Sequence, residues 1–317
     1  MHKAKWQSVP ALSRNIFSVM NENFLKLDED YEESLPNFQE AKTLLMGSDY
    51  SGDTAQAPYV VYSFLITSLE AWSKWEPKRV QVRQKFLSDH RRMSFKQLGD
   101  FQRQRALIPL LDAANSLEGI SYTLAINKKS ESFFSGPPLD LKNPDFAPYG
   151  KWKIPILEKT FVIIHCLSFL LAGLAKKGQD VFWFTDEDNI AANNQRVREL
   201  TQLFGWISSF YLTFNLGHCR CGTSRCDDGS RQIEDFLAIP DLIAGALAEQ
   251  LKLSSEDGQE LSNFFWINRG DFSEKTKTIT WWFSDCRQPL KRLVSIIDPK
   301  KDGHGHVVSW YHFHDQK

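Results

Sequence analysis

The chain has 317 residues, enough for one large domain or two small ones. With 42% hydrophobic residues, 10 Trp and 23 Phe it can bury a sizeable core, which excludes a disordered chain. Its 38 Lys+Arg against 39 Asp+Glu leave a net charge of -1, which argues against a protein that coats DNA by bulk charge. Five Cys, an odd number, and no visible secretory signal point to a reducing cytoplasm.

Residues 1–42 read as an amphipathic helical extension with an acidic face, Glu22, Asp28, Glu29, Asp30, Glu32, Glu33 and Glu40 standing against Lys26. Ala41 to Asp49 is a first strand, because the short apolar run Thr43-Leu44-Leu45-Met46-Gly47 ends in turn residues. Pro58 to Thr67, rich in β-branched and aromatic residues, is a second strand, and the short separation favours a hairpin over a crossover. Glu76 to Leu87 reads as a helix with Pro77 in its first turn, and Phe101 to Ser116 as another. The stretch 73–107 is basic; Lys74, Lys78, Arg79, Arg83, Arg91 and Arg92 are the candidate nucleic-acid contacts, with a solvated helix face as the plainer reading. Trp72 and Trp75 beside it either stack on bases or anchor a helix in the core.

Gly119 to Asn127 alternates as a strand, and 128–152 reads as a loop. Ile154 to Lys177 is an apolar helix. Its longest apolar run, Phe161 to Ala175, is shorter than the ~20 residues a membrane span needs, so no membrane partner is expected. Asp180 to Thr185 is a buried strand ending in Asp186-Glu187-Asp188, Asn193 to Ser208 a helix, and Phe214 to Thr223 a candidate strand. Gln232 to Leu251 is a helix that carries Pro240-Asp241. The tail reads as a strand (Thr276 to Phe283), a helix (Gln288 to Ile297) and a strand (His306 to Phe313). Strands first, then alternating helices and strands, give an α/β class with a mixed sheet: a core at 43–254 and an α+β extension at 255–317 packed on it.

Three acids stand where a carboxylate is costly. Asp49 closes the first strand, Asp186 closes a later one, and Asp241 interrupts the apolar run Leu237 to Ala244. Each has a duller explanation: an Asx turn for Asp49, a helix cap for Asp186 and above all Asp188, a helix N-terminus for Asp241. Two carboxylates about 4 Å apart repel by ~4 kcal/mol at an effective dielectric of 20, so three sharing a pocket need protons or a cation. Hard oxygen ligands suit Mg2+ or Mn2+, and a pair of such ions can activate water against a phosphodiester.

Asp49-Tyr50-Ser51-Gly52 resembles the Asp-Glu-Ser-Gly signature of the bacterial domain-of-unknown-function family thirty-eight hundred. Ile239-Pro240-Asp241-Leu242-Ile243-Ala244-Gly245-Ala246 resembles that family's late helix, with its Ala-Asp-Leu-Ile-Ala-Gly. The resemblance spans roughly residues 41–251, in segments. It implies an RNase H-like fold, Asp49 and Asp241 as metal ligands, and Asp186 as the middle acid with Glu187 as its alternate. It also implies a metal-dependent nuclease acting on DNA or RNA, with a role in mobile elements or defence against phage. Tyr50 stands where the family has Glu, and the family's further acid has no clear match: Glu70 is a candidate, and His90 to Lys96 contains none. A catalytically inactive module that binds nucleic acid or protein partners is the alternative, and self-association is left open.

Other constellations are weaker. His218, Cys219, Cys221 and Cys226 lack the paired spacing of zinc ligands, and in a strand Cys219 and Cys221 would share one face as small hydrophobes. His304, His306, His312 and His314 read as a His-rich surface strand. There is no Gly-x-Gly-x-x-Gly, no Walker loop, no Gly-x-Ser-x-Gly and no His-Glu-x-x-His, which weighs against the common dinucleotide enzymes, nucleoside triphosphatases, serine hydrolases and zinc proteases.

Overall fold

The computed structural model describes residues 5–9, 16–130, 149–256, 271–300 and 305–313. In chain order the elements are α1 (Ile16–Asp30), β1 (Thr43–Ser51), β2 (Tyr59–Ser68), α2 (Leu69–Phe86), α3 (Phe101–Ala114), β3 (Gly119–Asn127), α4 (Ile154–Leu174), β4 (Asp180–Thr185), α5 (Asn194–Tyr211), β5 (Cys219–Thr223), α6 (Gln232–Glu256), α7 (Glu274–Ser284), β6 (Leu290–Pro299) and β7 (His306–His312). Single 3-10 turns lie at Phe95–Gln97 and Ser224–Cys226.

The strands form one sheet in the order β5-β4-β1-β2-β3-β6-β7. β1 and β2 pair as the expected hairpin, with Asp49 opposite Ser63. β3 continues the meander antiparallel to β2, while β4 lies parallel to β1 and β5 parallel to β4. An antiparallel three-strand meander whose first strand is flanked by two parallel crossover strands is the arrangement of an RNase H-like sheet. β6 then adds parallel to β3, and β7 closes the far edge antiparallel to β6.

Strand residues alternate between two buried faces. One carries Leu44, Met46, Phe64, Tyr122 and Trp183, and packs on α1, α4 and α5. The other carries Leu45, Val61, Leu65, Ala125 and Val294, and packs on α2, α3, α6 and α7. α4 satisfies the length and apolarity of a membrane helix, yet 14 of its 21 residues are buried, and they pack within the first of these layers. Gly47 sets the position of α6: a Cβ there would sit 2.7 Å from the Phe236 ring, so the missing side chain lets the helix lie directly on β1.

Several boundaries differ from expectation. The helix expected over Glu76 to Leu87 starts at Leu69, capped by Ser68, whose Oγ accepts the Ala71 N–H at 3.1 Å. Pro77 therefore lies inside α2, where it removes one intrahelical bond without ending the helix. Buried residues at 71, 72, 75, 79, 82 and 83 fall on one helical face, and that burial overrides the proline.

In the tail two elements exchange type. Thr276 to Phe283, expected as a strand, lies in α7. Ser273 caps it, and Thr276, Ile279, Thr280 and Phe283 bury at helical spacing. Gln288 to Ile297, expected as a helix, supplies β6, a nearly continuous buried run between β3 and β7. The extension at 255–317 thus adds strands to the core sheet and does not merely lie on it.

The N-terminal extension is helical only over Ile16–Asp30 among its described residues, and its acidic face is not wholly solvated. Asp28 is buried and accepts the Lys5 and Trp6 N–H groups at 2.6 and 2.8 Å. Most of the expected loop 128–152, together with His304 and His314, lies outside the described residues. Cys219 and Cys221 do share a face of β5 and pack against the core as small hydrophobes.

Candidate active site

The register of the sheet brings two of the acids together. Ser48 of β1 pairs in parallel with Thr185 of β4, so the next residues, Asp49 and Asp186, emerge side by side at the same end of the sheet. Both lie on the face that α6 covers, since Leu45, Gly47 and Asp49 alternate with the oppositely directed Ser48 and Tyr50. α6 supplies the third. Asp241 is in mid-helix and half-buried, and its Oδ2 accepts the Phe95 N–H at 2.6 Å. Glu234, seven residues earlier and so about 10 Å along the same side of the helix, faces the same end of the sheet.

The duller roles do not fit. Asp49 lies inside β1, and its Oδ1 accepts the adjacent Tyr50 N–H at 2.6 Å, not the N–H two residues on that an Asx turn needs. Asn193, not Asp188, caps α5 by accepting the Arg196 N–H at 2.9 Å. Asp241 is nine residues past the start of its helix.

Asp49 and Asp241 are half-buried, and among the described residues neither has a cationic partner within ion-pair distance. Burial, then the Asp241 carboxylate, then Asp186 and Asp188 push the Asp49 carboxyl well above the usual carboxylate range, against the pull of the Tyr50 N–H. Asp241 is pushed up to about 6, by burial first and also by Asp186, against the Phe95 N–H, Lys96 and Arg92. Asp188 is raised by burial and by Asp186, while Lys159 opposes the shift.

The outer acids do have partners. Arg92 donates from Nη2 to Asp186 Oδ1 at 3.1 Å, and its Nε lies 3.1 Å from Glu234 Oε1. Glu187 turns away to Arg225, 2.9 Å from Nε. Lys159 of α4 reaches Asp53 at 2.6 Å and Asp188 at 3.6 Å, with its ammonium over the Tyr50 ring. Tyr50 points to the other face, where its hydroxyl meets Ser48 at 2.6 Å and Thr185 at 3.3 Å. It therefore does not stand in for the glutamate expected at that position.

The donor chemistry suits a hard divalent cation: carboxylate oxygens only, two of the carboxylates desolvated and, among the described residues, without a cation at ion-pair distance. The set is not closed, however. Among the described residues no three His, Cys, Asp or Glu side chains converge as a metal-holding group.

The chain finds no matching protein-family model and no matching curated protein. Among solved structures, ribonuclease H2 from Pyrococcus horikoshii is similar over 77% of this chain and 86% of its own, at 12% identity and a TM-score of 0.37. The RNase H-like assignment rests on the strand order and directions given above.

The expected nucleic-acid contacts separate into three groups. Arg79 and Arg83, only 1% and 7% exposed, are buried under α6. Arg83 clamps Asp235 through two bonds of 2.5 Å, and Arg79 reaches the same carboxylate at 3.0 Å and Glu76 at 2.5 Å. They hold α2 to α6 and are not available to a phosphate. Lys74 and Lys78 line an open groove of about 460 Å³ with Asn115, Glu118 and Gln288. That groove is at the opposite end of the sheet, because Thr67 and Ser68 pair with Leu45 and Leu44, far from Asp49. Arg91 is paired with Asp89 and Asp100. Of the six, Arg92 alone touches the acidic cluster.

Glu70 is also misplaced as a further acid. It follows Ser68, whose partner Leu44 lies five residues, about 16 Å, along β1 from Asp49. Trp72 and Trp75 are buried against Phe236 and cannot stack on bases.

The residues that sequence reasoning missed are Glu234, Asp188 as a site acid, and Lys159. The i,i+7 spacing of Glu234 and Asp241 was a usable signal. Lys159 carried none, since it enters from the opposite layer.

Proposed function

We propose that the chain is a metal-dependent nuclease of RNase H-like fold, with Asp49, Asp186 and Asp241 as the acids that hold Mg2+ or Mn2+. The observation that carries this reading is the pair of half-buried carboxylates, Asp49 and Asp241, each disfavoured in its ionised form by burial and by neighbouring acids and, among the described residues, without a cation at ion-pair distance. A fold does not maintain such a pair for stability, because each lacks the partner that would offset its desolvation. A divalent cation held there supplies the Lewis acidity that lets water attack a phosphodiester. The chain's own contribution is positional. β1, β4 and α6 fix the three carboxylates at one end of the sheet, and Phe95 N–H holds one oxygen of Asp241. Arg92 and Lys159 supply positive charge at the rim for a polyanion. The resemblance of Asp49-Tyr50-Ser51-Gly52 and of the late helix to the domain-of-unknown-function family implies the same roles. Glu187, drawn to Arg225, is proposed as no more than an outer acid.

The test is hydrolysis of single- and double-stranded DNA and RNA with Mn2+ or Mg2+, beside Asp49→Asn. Cleavage that needs the metal and disappears in the variant is the expected result. No cleavage of any of these, together with no metal-induced rise in Tm, overturns the proposal. A second reading, a catalytically silent module, is favoured by one observation: the acids do not close into a metal-holding group and Asp186 is already paired with Arg92. Metal-independent nucleic-acid binding that Asp49→Asn leaves intact would support that reading.

A further inference from the structure

The acids at the end of β1 and β4 are brought together by the fold but, among the described residues, do not close as a metal-holding group, and a side chain of the same chain stands between two of them. Arg92 lies between β4 and α6. Its guanidinium donates to Asp186 on one side and faces Glu234 on the other, both at 3.1 Å. Its charge also reaches Asp241, whose carboxyl it stabilises in the ionised form. One guanidinium thus bears on three of the acids, while Lys159 answers Asp188 from the opposite layer.

The arginine is mounted rigidly at its backbone and loosely at its head. His90, two residues before it, has a positive φ of 58°, a left-handed conformation uncommon for a residue with a side chain. The carbonyl of Arg91 accepts from Arg83 at 3.3 Å and that of Arg92 from Arg103 at 2.7 Å. Phe95 N–H is held by Asp241 itself. The guanidinium, by contrast, is on a side chain that is 46% exposed, so its head can leave the acids without disturbing the segment that carries it.

Building on the nuclease reading above, we infer that Arg92 is a resident counter-cation of the acidic cluster, competing with a divalent metal for Asp186 and released toward a substrate phosphate when the metal enters. A guanidinium suits both stations, since it forms two-pronged bonds to carboxylate and to phosphate alike. While Arg92 holds Asp186, that carboxylate is neutralised and the ligand set stays open. Once Asp186 turns to a metal, the arginine is left without its carboxylate beside the place a phosphodiester must occupy.

The inference predicts an effect opposite in sign to that of a simple structural strut or phosphate contact. Removing the arginine should tighten metal binding. The measurement is calorimetric titration of the full chain with Mn2+ alone, for the wild type, Arg92→Gln, Arg92→Met and Arg92→Lys, with thermal unfolding in chelator to confirm that each is folded. Arg92→Gln and Arg92→Met are expected to lower the Mn2+ Kd by about three- to tenfold, the scale of two exposed ion pairs, and Arg92→Lys to stay near the wild type. Binding of single-stranded DNA in the presence of Mn2+ should weaken in the two neutral variants. If the wild type binds Mn2+ and the neutral variants bind it equally or less well, the competition is refuted while the metal site stands. If neither the wild type nor any variant binds Mn2+, the nuclease reading falls and this inference falls with it. Binding by the neutral variants alone would be the strongest form of support.

Discussion

Asp49 and His165 show what burial does to an ionisable side chain in this fold, and each makes a prediction. Burial and the neighbouring Asp241, Asp186 and Asp188 carboxylates disfavour the ionised form of Asp49, so Asp49→Asn should relieve that cost and raise Tm in chelator by a few degrees, while abolishing any rise caused by Mn2+. Paired thermal scans with and without metal check both halves. His165, on α4, donates or accepts at Nδ1 with the Tyr211 hydroxyl at 2.7 Å, and burial lowers its pKa to about 4. The depressed value means that the unfolded chain takes up a proton that the native chain refuses. Stability is therefore full above about pH 6.5 and is lost as pH falls toward 4, by up to about 3 kcal/mol. The difference in unfolding free energy between wild type and His165→Gln, followed from pH 7 to 4, should contain that slope. At this scale the sequence was informative for Asp49 and Asp241, because an acid amid apolar residues is conspicuous. It was uninformative for Arg79 and Arg83, because a run of arginines reads the same whether it faces water or a buried Asp235.

Between elements, the contacts of α6 decide where the site forms. Gly47 beneath it and Gly245 within it admit the Phe236 and Phe95 rings where a Cβ would collide, at 2.7 and 2.2 Å. Gly47→Ala should push α6 away from β1 and cost about 1–3 kcal/mol, and it should weaken Mn2+ binding by moving Asp241. Chemical unfolding and metal titration on the same variant test the coupling. The Arg79–Arg83–Asp235 clamp fixes the other side of the helix. Asp235→Ala leaves two buried guanidinium groups without their carboxylate, so a loss of about 3–5 kcal/mol is expected in denaturant unfolding, with no selective effect on the metal. The strand and helix assignments that failed, α7 and β6, share one cause. Thr276 to Phe283 is β-branched and aromatic yet buries at helical spacing under a Ser273 cap, and β6 is a strand only because β3 and β7 are there to pair with it. Local propensity spans roughly 1 kcal/mol and yields to such pairing.

For the whole molecule, the sheet is continuous from β5 to β7, and this sets what can be removed. A chain ended after residue 256 would lose α7, β6 and β7 and expose the long inner edge of β3. It should fail to unfold cooperatively or should aggregate, measured by calorimetry and light scattering; a soluble, cooperative fragment would show instead that the last two strands are dispensable. The sequence by itself determined the class of the fold, the β1–β2 hairpin, strands β3 and β4 to the residue, and the costly acids. All of these follow from local periodicity and from the price of placing charge among apolar residues. Only the tertiary structure decided which acids meet, that Arg92 and Lys159 join them, and that Lys74, Lys78 and Glu70 lie at the far end. Those outcomes depend on strand register and on which face a helix turns inward, and both are set by packing between segments distant in sequence.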